Sequence, residues 1–199
     1  MGKKIVAIVG SYRKGGTIDR TVNAVLEGAR EQGAETETVY LTERHIEFCR
    51  NCRECMQQPG EARGACVQRD DLDLILEKID AADGLVLGAP VNCFNVTAIF
   101  RRFMERLVGA AYWPWGQNAP RPRSKRLPRK AVLVASAAMP GFLIPIATGA
   151  ARALRLTASM LGARPVAQLW IGLAGVAPRV PLSTRTLEHA RRAGSKIAA

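Results

Sequence analysis

The segment Gly10-Ser11-Tyr12-Arg13-Lys14-Gly15-Gly16-Thr17 brings three glycines, hydroxyls and two cations together between an apolar run and a helical pattern. Backbone amides bared by a glycine-rich turn and backed by a helix N-terminus make an anion site. Arg13 and Lys14 add positive charge beside it, so phosphate is the first ligand to consider. A plain turn with incidental glycines is the alternative. The nucleotide-triphosphate loop G-x-x-x-x-G-K-[ST] fits at Gly10, Gly15 and Thr17 but has Gly16 where the lysine belongs. The dinucleotide fingerprint G-x-G-x-x-G fails at Tyr12. What remains suits a single phosphate, such as that of flavin mononucleotide (FMN), which doubly wound α/β folds hold just after their first strand.

A second constellation is Cys49-x2-Cys52-x2-Cys55, followed after ten residues by Cys66. Three thiols two residues apart can turn back around one centre, with the fourth supplied by a loop. That pattern suits a [4Fe–4S] cluster. Zinc is the other metal to weigh, although its sites more often pair their ligands two and two. A set of unloaded thiols in a surface loop is the third reading. Arg50, Arg53, Glu54, Glu61 and Arg63 among them fit a solvent-exposed lid.

A third polar stretch, Ala89-Pro90-Val91-Asn92-Cys93-Phe94-Asn95-Val96-Thr97, lies between a buried strand and an amphipathic helix. Its amides and Asn side chains could border a planar ring and stabilise reduced, negatively charged flavin. Asn95 or Thr97 capping the next helix is the competing role. Cys93 reads as a small buried residue. His45 and His189 stand alone and read as surface or helix-end residues.

These groups need a scaffold. Lys4–Val9 is a β-branched strand, followed by Ile18, Val22, Val25, Leu26 and Ala29 at helical spacing and a stop at Gly33. Thr36–Leu41 alternates as a strand. Residues 42–69 lack periodicity and carry the thiols. Asp70 and Asp71 open a helix whose apolar face is Leu72, Ile75, Leu76 and Ile79. A buried strand over Gly84–Gly88 closes at Ala89-Pro90. The next helix shows Ile99, Phe100, Phe103, Met104, Leu107 and Val108 on one face and Arg101, Arg102 and Arg106 on the other. A long loop over 109–129 holds Trp113-Pro114-Trp115-Gly116. Ala131–Ser136 is the fourth strand. A helix then runs from Pro145 at its start to a Gly162 cap. Pro165–Ile171 is the fifth strand, and residues 183–197 suit a weak basic helix.

Five apolar strands alternating with helices predict an α/β three-layer sandwich with a five-stranded parallel sheet, order 2-1-3-4-5. Ligands in that topology bind beyond the C-terminal strand ends, between strands 1 and 3. The phosphate loop and the 89–97 segment should therefore border one crevice. At 199 residues a single domain over 1–199 is expected, with a cysteine-bearing insert at 45–69 and a basic loop at 109–130. No apolar run is long enough to span a membrane. Met-Gly-Lys-Lys runs straight into a strand without a signal segment, so a cytoplasmic location and reduced thiols are expected.

The net charge of +12 is uneven. Residues 1–99 hold 12 Lys and Arg against 15 Asp and Glu, whereas residues 100–199 hold 17 against Glu105 and Glu188 alone. The densest run is Arg121–Lys130. It suggests an anionic partner or a phosphorylated dinucleotide, or simply a solvated loop. With two prolines and no stacking aromatic, it argues against single-stranded nucleic acid.

Taken together, these residues resemble the NADPH-dependent FMN reductase superfamily and, within it, the iron–sulfur flavoproteins. The resemblance rests on Gly10-Ser11-x-Arg13-Lys14-Gly15-Gly16, on the Cys49/Cys52/Cys55/Cys66 set leading into Arg69-Asp70-Asp71, and on Gly88-Ala89-Pro90-Val91 before a Phe-rich helix. It runs over roughly residues 3–110. It implies a flavodoxin-like fold, bound FMN, NAD(P)H as electron donor, a [4Fe–4S] cluster on the four cysteines, and a homodimer or homotetramer in which a neighbour helps cover the flavin. By position, Ser11, Arg13, Gly16, Thr17 and Ile18 would hold the phosphate. Pro90, Val91, Asn92, Phe94, Asn95 and Val96 would border the isoalloxazine, and Ser136 to Gly141 would complete the site. With asparagine at 92, stacking on the flavin would fall to Phe94, Trp113 or a neighbouring subunit. The implied activity is electron transfer from NAD(P)H, a reduced cluster or a partner to a quinone, flavin or dioxygen. An electron carrier serving a partner protein is the alternative, and a nucleic-acid-binding module ranks behind both.

Overall fold

The computed structural model describes residues 2–177 and 179–199. Five parallel strands form the central sheet: β1 (Lys4–Val9), β2 (Glu35–Tyr40), β3 (Gly84–Asn92), β4 (Arg129–Ser136) and β5 (Ala163–Ile171). Their order is β2-β1-β3-β4-β5, as the alternation of strands and helices predicts. β1 is the switch point, with β2 on one side and β3 on the other. Successive β1 side chains leave on opposite faces. Val6 and Ile8 join one core, and Ile5, Ala7 and Val9 join the other.

Helices α2 (Leu72–Asp80), α3 (Ala98–Glu105) and α4 (Ala150–Met160) cover the first face. Phe100 and Phe103 of α3 are fully buried there, edge to face at 6.1 Å. Helices α1 (Thr17–Arg30) and α5 (Thr184–Ala198) cover the second face. Among the described residues, no helix is long and apolar enough to cross a membrane.

Four elements differ from the sequence expectation. β3 does not stop at Ala89-Pro90 but runs on to Asn92, then folds back so that Val91 faces Val96 and Asn92 faces Asn95. Cys93 and Phe94 make the tight turn with positive φ (46° and 60°), as primed hairpin turns require. Cys93 is exposed there, not buried. The helix expected from Pro145 is broken in two. Ile144–Ala147 makes a single turn, Thr148 is extended, and the Gly149 amide donates to the Phe94 carbonyl at 2.8 Å before α4 begins. The 109–129 loop carries a small antiparallel ladder that pairs Ala111 with Pro122 and Tyr112 with Arg121.

The fourth difference is α5. A weak basic helix is expected over 183–197, yet α5 buries Ala190, Ala193, Gly194 and Ile197. Small residues let it cross α1 with the backbones almost touching. A side-chain carbon on Gly194 would lie 1.9 Å from the Val25 carbonyl oxygen, and one on Gly28 would lie 2.0 Å from that of Arg191. The Ser195 hydroxyl donates to the Gly28 carbonyl at 3.2 Å. Gly194→Ala should therefore force the helices apart, costing about 1–3 kcal/mol. A urea-denaturation midpoint unchanged by this substitution would contradict the packing.

Candidate functional site

At the switch point the loops after β1, β3, β4 and β5 enclose a cleft of about 480 Å³. That volume is ample for a cofactor-sized ligand. Of the residues singled out from sequence, Ser11, Arg13, Gly16, Thr17, Ile18, Pro90, Val91, Asn92 and Ser136 line it. Phe94, Asn95, Val96 and Gly141 do not. The return of the β3 hairpin explains the first three: Val96 is in the core, Asn95 packs on Gly149, and Phe94 sits exposed at the turn tip. Gly141 packs against the Trp170 carbonyl; a side-chain carbon there would approach it to 2.3 Å. Ala137 and Ala138, within the 136–141 loop expected to complete the site, also line it, as do Tyr12, Ala174 and Gly175, which were not singled out. Ala174 and Gly175 belong to the loop after β5, which is brought in when the Ala174 amide bonds the Ala137 carbonyl at 2.9 Å. No local pattern announces such a long-range contact.

The cradle is built from the loop upward. α1 begins at Gly16 with no side-chain cap, so its opening amides face the cleft side unclaimed by a capping group. The Ser11 hydroxyl accepts from the Arg13 amide at 3.2 Å and fixes the turn. Gly15 takes the left-handed conformation (φ 69°). Its amide donates to the buried Asp19 carboxylate at 2.6 Å, which also accepts from the Tyr40 hydroxyl at 2.7 Å. Burial first, then the hydrogen bond and charge of Asp19, push the Tyr40 phenol up to about 12. Asp19 is the third residue of α1, where an acidic side chain reaches back to an amide ahead of the helix. That spacing was the available signal for it. Among the described residues, the Arg13 guanidinium has no ion-pair partner, whereas Lys14 pairs with Glu43 and lies over the Tyr40 ring.

Two contacts join this loop to α3. The Thr97 hydroxyl, fully buried, donates to the Gly10 carbonyl at 2.6 Å and accepts from the Phe100 amide at 3.3 Å. Thr97, not Asn95, is the helix cap. The Tyr12 hydroxyl accepts from the Ile99 amide at 3.2 Å.

The thiols lie at the other end of α3. Cys49, Cys52, Cys55 and Cys66 line one cavity of about 90 Å³ with Arg106, Val108 and Trp113. Asn51 and Arg53, with φ of 53° and 63°, reverse the chain between successive cysteines, and the four thiols line the same cavity. The Asn51 amide donates to the Cys49 sulfur at 3.4 Å, and Arg106 donates to that of Cys66 at 3.5 Å. Burial pushes the Cys55 thiol up, and the neighbouring Cys66, Cys49 and Cys52 push it further. Among the described residues, no three of these side chains close on a metal-ion site.

Of the charged residues expected on a solvent-exposed lid, Arg50, Glu54 and Glu61 are exposed, whereas Arg53 and Arg63 are partly buried. Arg53 is sandwiched between Trp113 and Trp115, at 3.8 and 4.1 Å from the ring centres, and donates to the Trp113 carbonyl at 2.6 Å. Trp113 therefore packs on the insert, not in the cleft. Arg123 of the basic run donates to the carbonyls of Gly109, Gly60 and Cys55, and Arg129 to those of Ala82, Leu161 and Asp80. Arg106, expected on the solvent face of α3, is buried and paired with Asp70. It also donates to the Glu47 carbonyl at 2.8 Å. Burial pushes the Asp70 carboxyl up, but Arg106 and the amides of Glu47 and Leu72 outweigh it and hold the carboxyl below its usual range.

The model of the NADPH-dependent FMN reductase family matches residues 3–175. The chain belongs to that family. An iron–sulfur flavoprotein of Archaeoglobus fulgidus is 34% identical over 111 residues, 56% of this chain and 48% of that protein. One of Methanosarcina thermophila is 39% identical over 105 residues, 53% of this chain and 52% of that protein. This family member thus aligns over about half the length of the curated relatives it matches. Among solved structures, the FMN complex of an FMN-dependent NADH-azoreductase from Bacillus anthracis matches with a TM-score of 0.71 at 12% identity, over 98% of this chain and 100% of that one. That likeness establishes the flavodoxin-type fold.

Arg106→Met would leave the Asp70 carboxylate buried without its partner, at a cost of about 3–5 kcal/mol near neutral pH. In the native chain Asp70 is held below its unfolded value, so its contribution is present above about pH 4 and fades as pH falls through the lower folded value. In the variant the lone carboxyl protonates readily. The deficit, read from denaturation midpoints, should therefore shrink from pH 7 towards about pH 4. A deficit constant across that range would show that the pair is not its source.

Proposed function

We propose that the chain is an FMN-dependent oxidoreductase carrying electrons from NAD(P)H to a small acceptor such as a quinone, free flavin or dioxygen. The observation that carries this reading is the uncapped start of α1 in the lining of the switch-point cleft, beside an exposed Arg13 that has no ion-pair partner among the described residues. An anionic phosphate satisfies both the bare amides and the guanidinium. In this reading Ser11, Gly16, Thr17 and Arg13 hold the phosphate, while Pro90, Val91, Asn92 and Ser136 border the ring system. Bound FMN would supply the redox chemistry, taking a hydride equivalent and passing its electrons on. The protein's part is to bind, orient and exclude water, and no side chain need serve as acid or base.

In this reading the four thiols, which line one cavity, would hold a [4Fe–4S] cluster with one thiol at each of four irons. The relatives' name, iron–sulfur flavoprotein, supports this assignment. Such a cluster would store one electron at a time, and Arg106 would offset the negative charge of its thiolates. α3, about 12 Å long, separates the thiols from the cleft. A second reading follows from the same thiols: an electron carrier acting on a partner protein. Phe94, Phe142, Ile146 and Leu173 stand exposed in loops at the C-terminal ends of the strands, which supports a homodimer or homotetramer covering the flavin.

Protein purified without oxygen should show oxidised-flavin absorption and a broad shoulder that reductant bleaches. Turnover of NAD(P)H with a quinone supports the enzyme, and its absence with partner-dependent reduction supports the carrier. Arg13→Ala should weaken FMN binding about ten- to hundredfold by calorimetry, since it removes a hydrogen bond to a charged group. Unchanged affinity would contradict the phosphate assignment.

A further inference from the structure

A cavity of about 870 Å³ lies away from the switch point, between the cysteine insert, the 109–129 loop and the C-terminal end of α4. Its wall is apolar, with Leu107, Leu156, Met160 and Pro128 prominent. Leu156 is half exposed on α4 although a large aliphatic side chain gains by burial. Met56, Val108 and Trp113 form a shared wall, with the cysteine cavity on its far side.

The charges around it are unbalanced. Arg63, Arg123, Arg126 and Arg129 face Glu61 and Asp80. Arg63 is bound to Asp80 at 2.6 Å, and Arg129 approaches the same carboxylate at 3.9 Å. Arg123 spends its donors on backbone carbonyls, which leaves its charge without an acidic partner among the described residues. Among the described residues, the Arg126 side chain has neither an ion-pair nor a hydrogen-bond partner. An apolar chamber of this size with one available cation at its rim has the character of a small-molecule site.

We propose that this chamber binds an amphipathic organic anion, its apolar body against Leu156, Met160 and the Trp113 wall and its acidic head on Arg126. The site is independent of the flavin cleft, and its occupant would lie one side-chain layer from the cysteines. The basic run Arg121–Lys130 thereby acquires two separate uses. Arg123 holds the insert in place, and Arg126 selects for negative charge.

The test is fluorescence titration of the FMN-saturated protein with 1-anilinonaphthalene-8-sulfonate. A single saturable site is expected. Arg126→Glu should weaken it by roughly tenfold or more, the scale of one lost charge-assisted contact. Leu156→Glu, at a half-exposed position, should weaken it comparably by charging the apolar wall. The uncharged analogue N-phenyl-1-naphthylamine should bind the native protein more weakly and be insensitive to Arg126→Glu. Flavin content should stay constant throughout. Non-saturable binding, or an affinity that neither substitution alters, would overturn the proposal. So would Leu156→Glu changing the oligomeric state in sedimentation, because the chamber would then be filled by a second copy.

Discussion

The hydrogen bond from the Thr97 hydroxyl to the Gly10 carbonyl is the constraint on which the rest of the site depends. It joins the end of β1 to the start of α3 across the strand-order reversal. Gly10 makes the approach possible, since a side-chain carbon there would lie 2.7 Å from that of Phe100. Buried away from water, the bond has no competing partner, and its loss would leave a carbonyl unsatisfied. With the two elements pinned, Tyr12 can cap α3 and the Gly-rich turn is held open in front of the bare amides of α1. The cleft is thus a consequence of backbone geometry at least as much as of the side chains that line it.

A second set of constraints works through arginine. The chain's basic surplus suggests a surface effect, yet much of it is spent inside. Arg106 neutralises Asp70, Arg53 fills the gap between two indoles, and Arg123 and Arg129 gather carbonyls from segments that share no regular structure. Irregular backbone leaves polar groups unpaired, and a planar guanidinium with five donors can satisfy several at once. Residues 42–69 lack a periodic apolar pattern and are organised by these arginines instead. The thiols inherit their positions from that scaffold.

Much of the fold was legible in the sequence because it is written locally. The β-branched run Lys4–Val9 and the alternation after it specify strands and order, and the Gly10–Thr17 loop marks one wall of the switch-point cleft. Other features resisted because their causes are distant in the chain. Arg106 sits where helical periodicity points to solvent, and only the fold brings Asp70 to it. α5 looked marginal because its buried residues are small, and small residues carry little hydropathy even when they permit close packing. The β3 hairpin was unreadable because Cys93 and Phe94 adopt positive φ, a conformation those residue types do not advertise. The loop after β5 carries no motif and reaches the cleft through long-range bonds from Leu173 to Met139 and from Ala174 to Ala137.

The central claim, that the cradle after β1 grips a phosphate, is tested most directly by comparing FMN with riboflavin, which differ by that group alone. If the bare amides and Arg13 hold it, calorimetry at fixed ionic strength should give FMN the tighter binding by about a hundredfold or more, the scale of two charge-assisted contacts. Equal affinities for the two flavins would contradict the account.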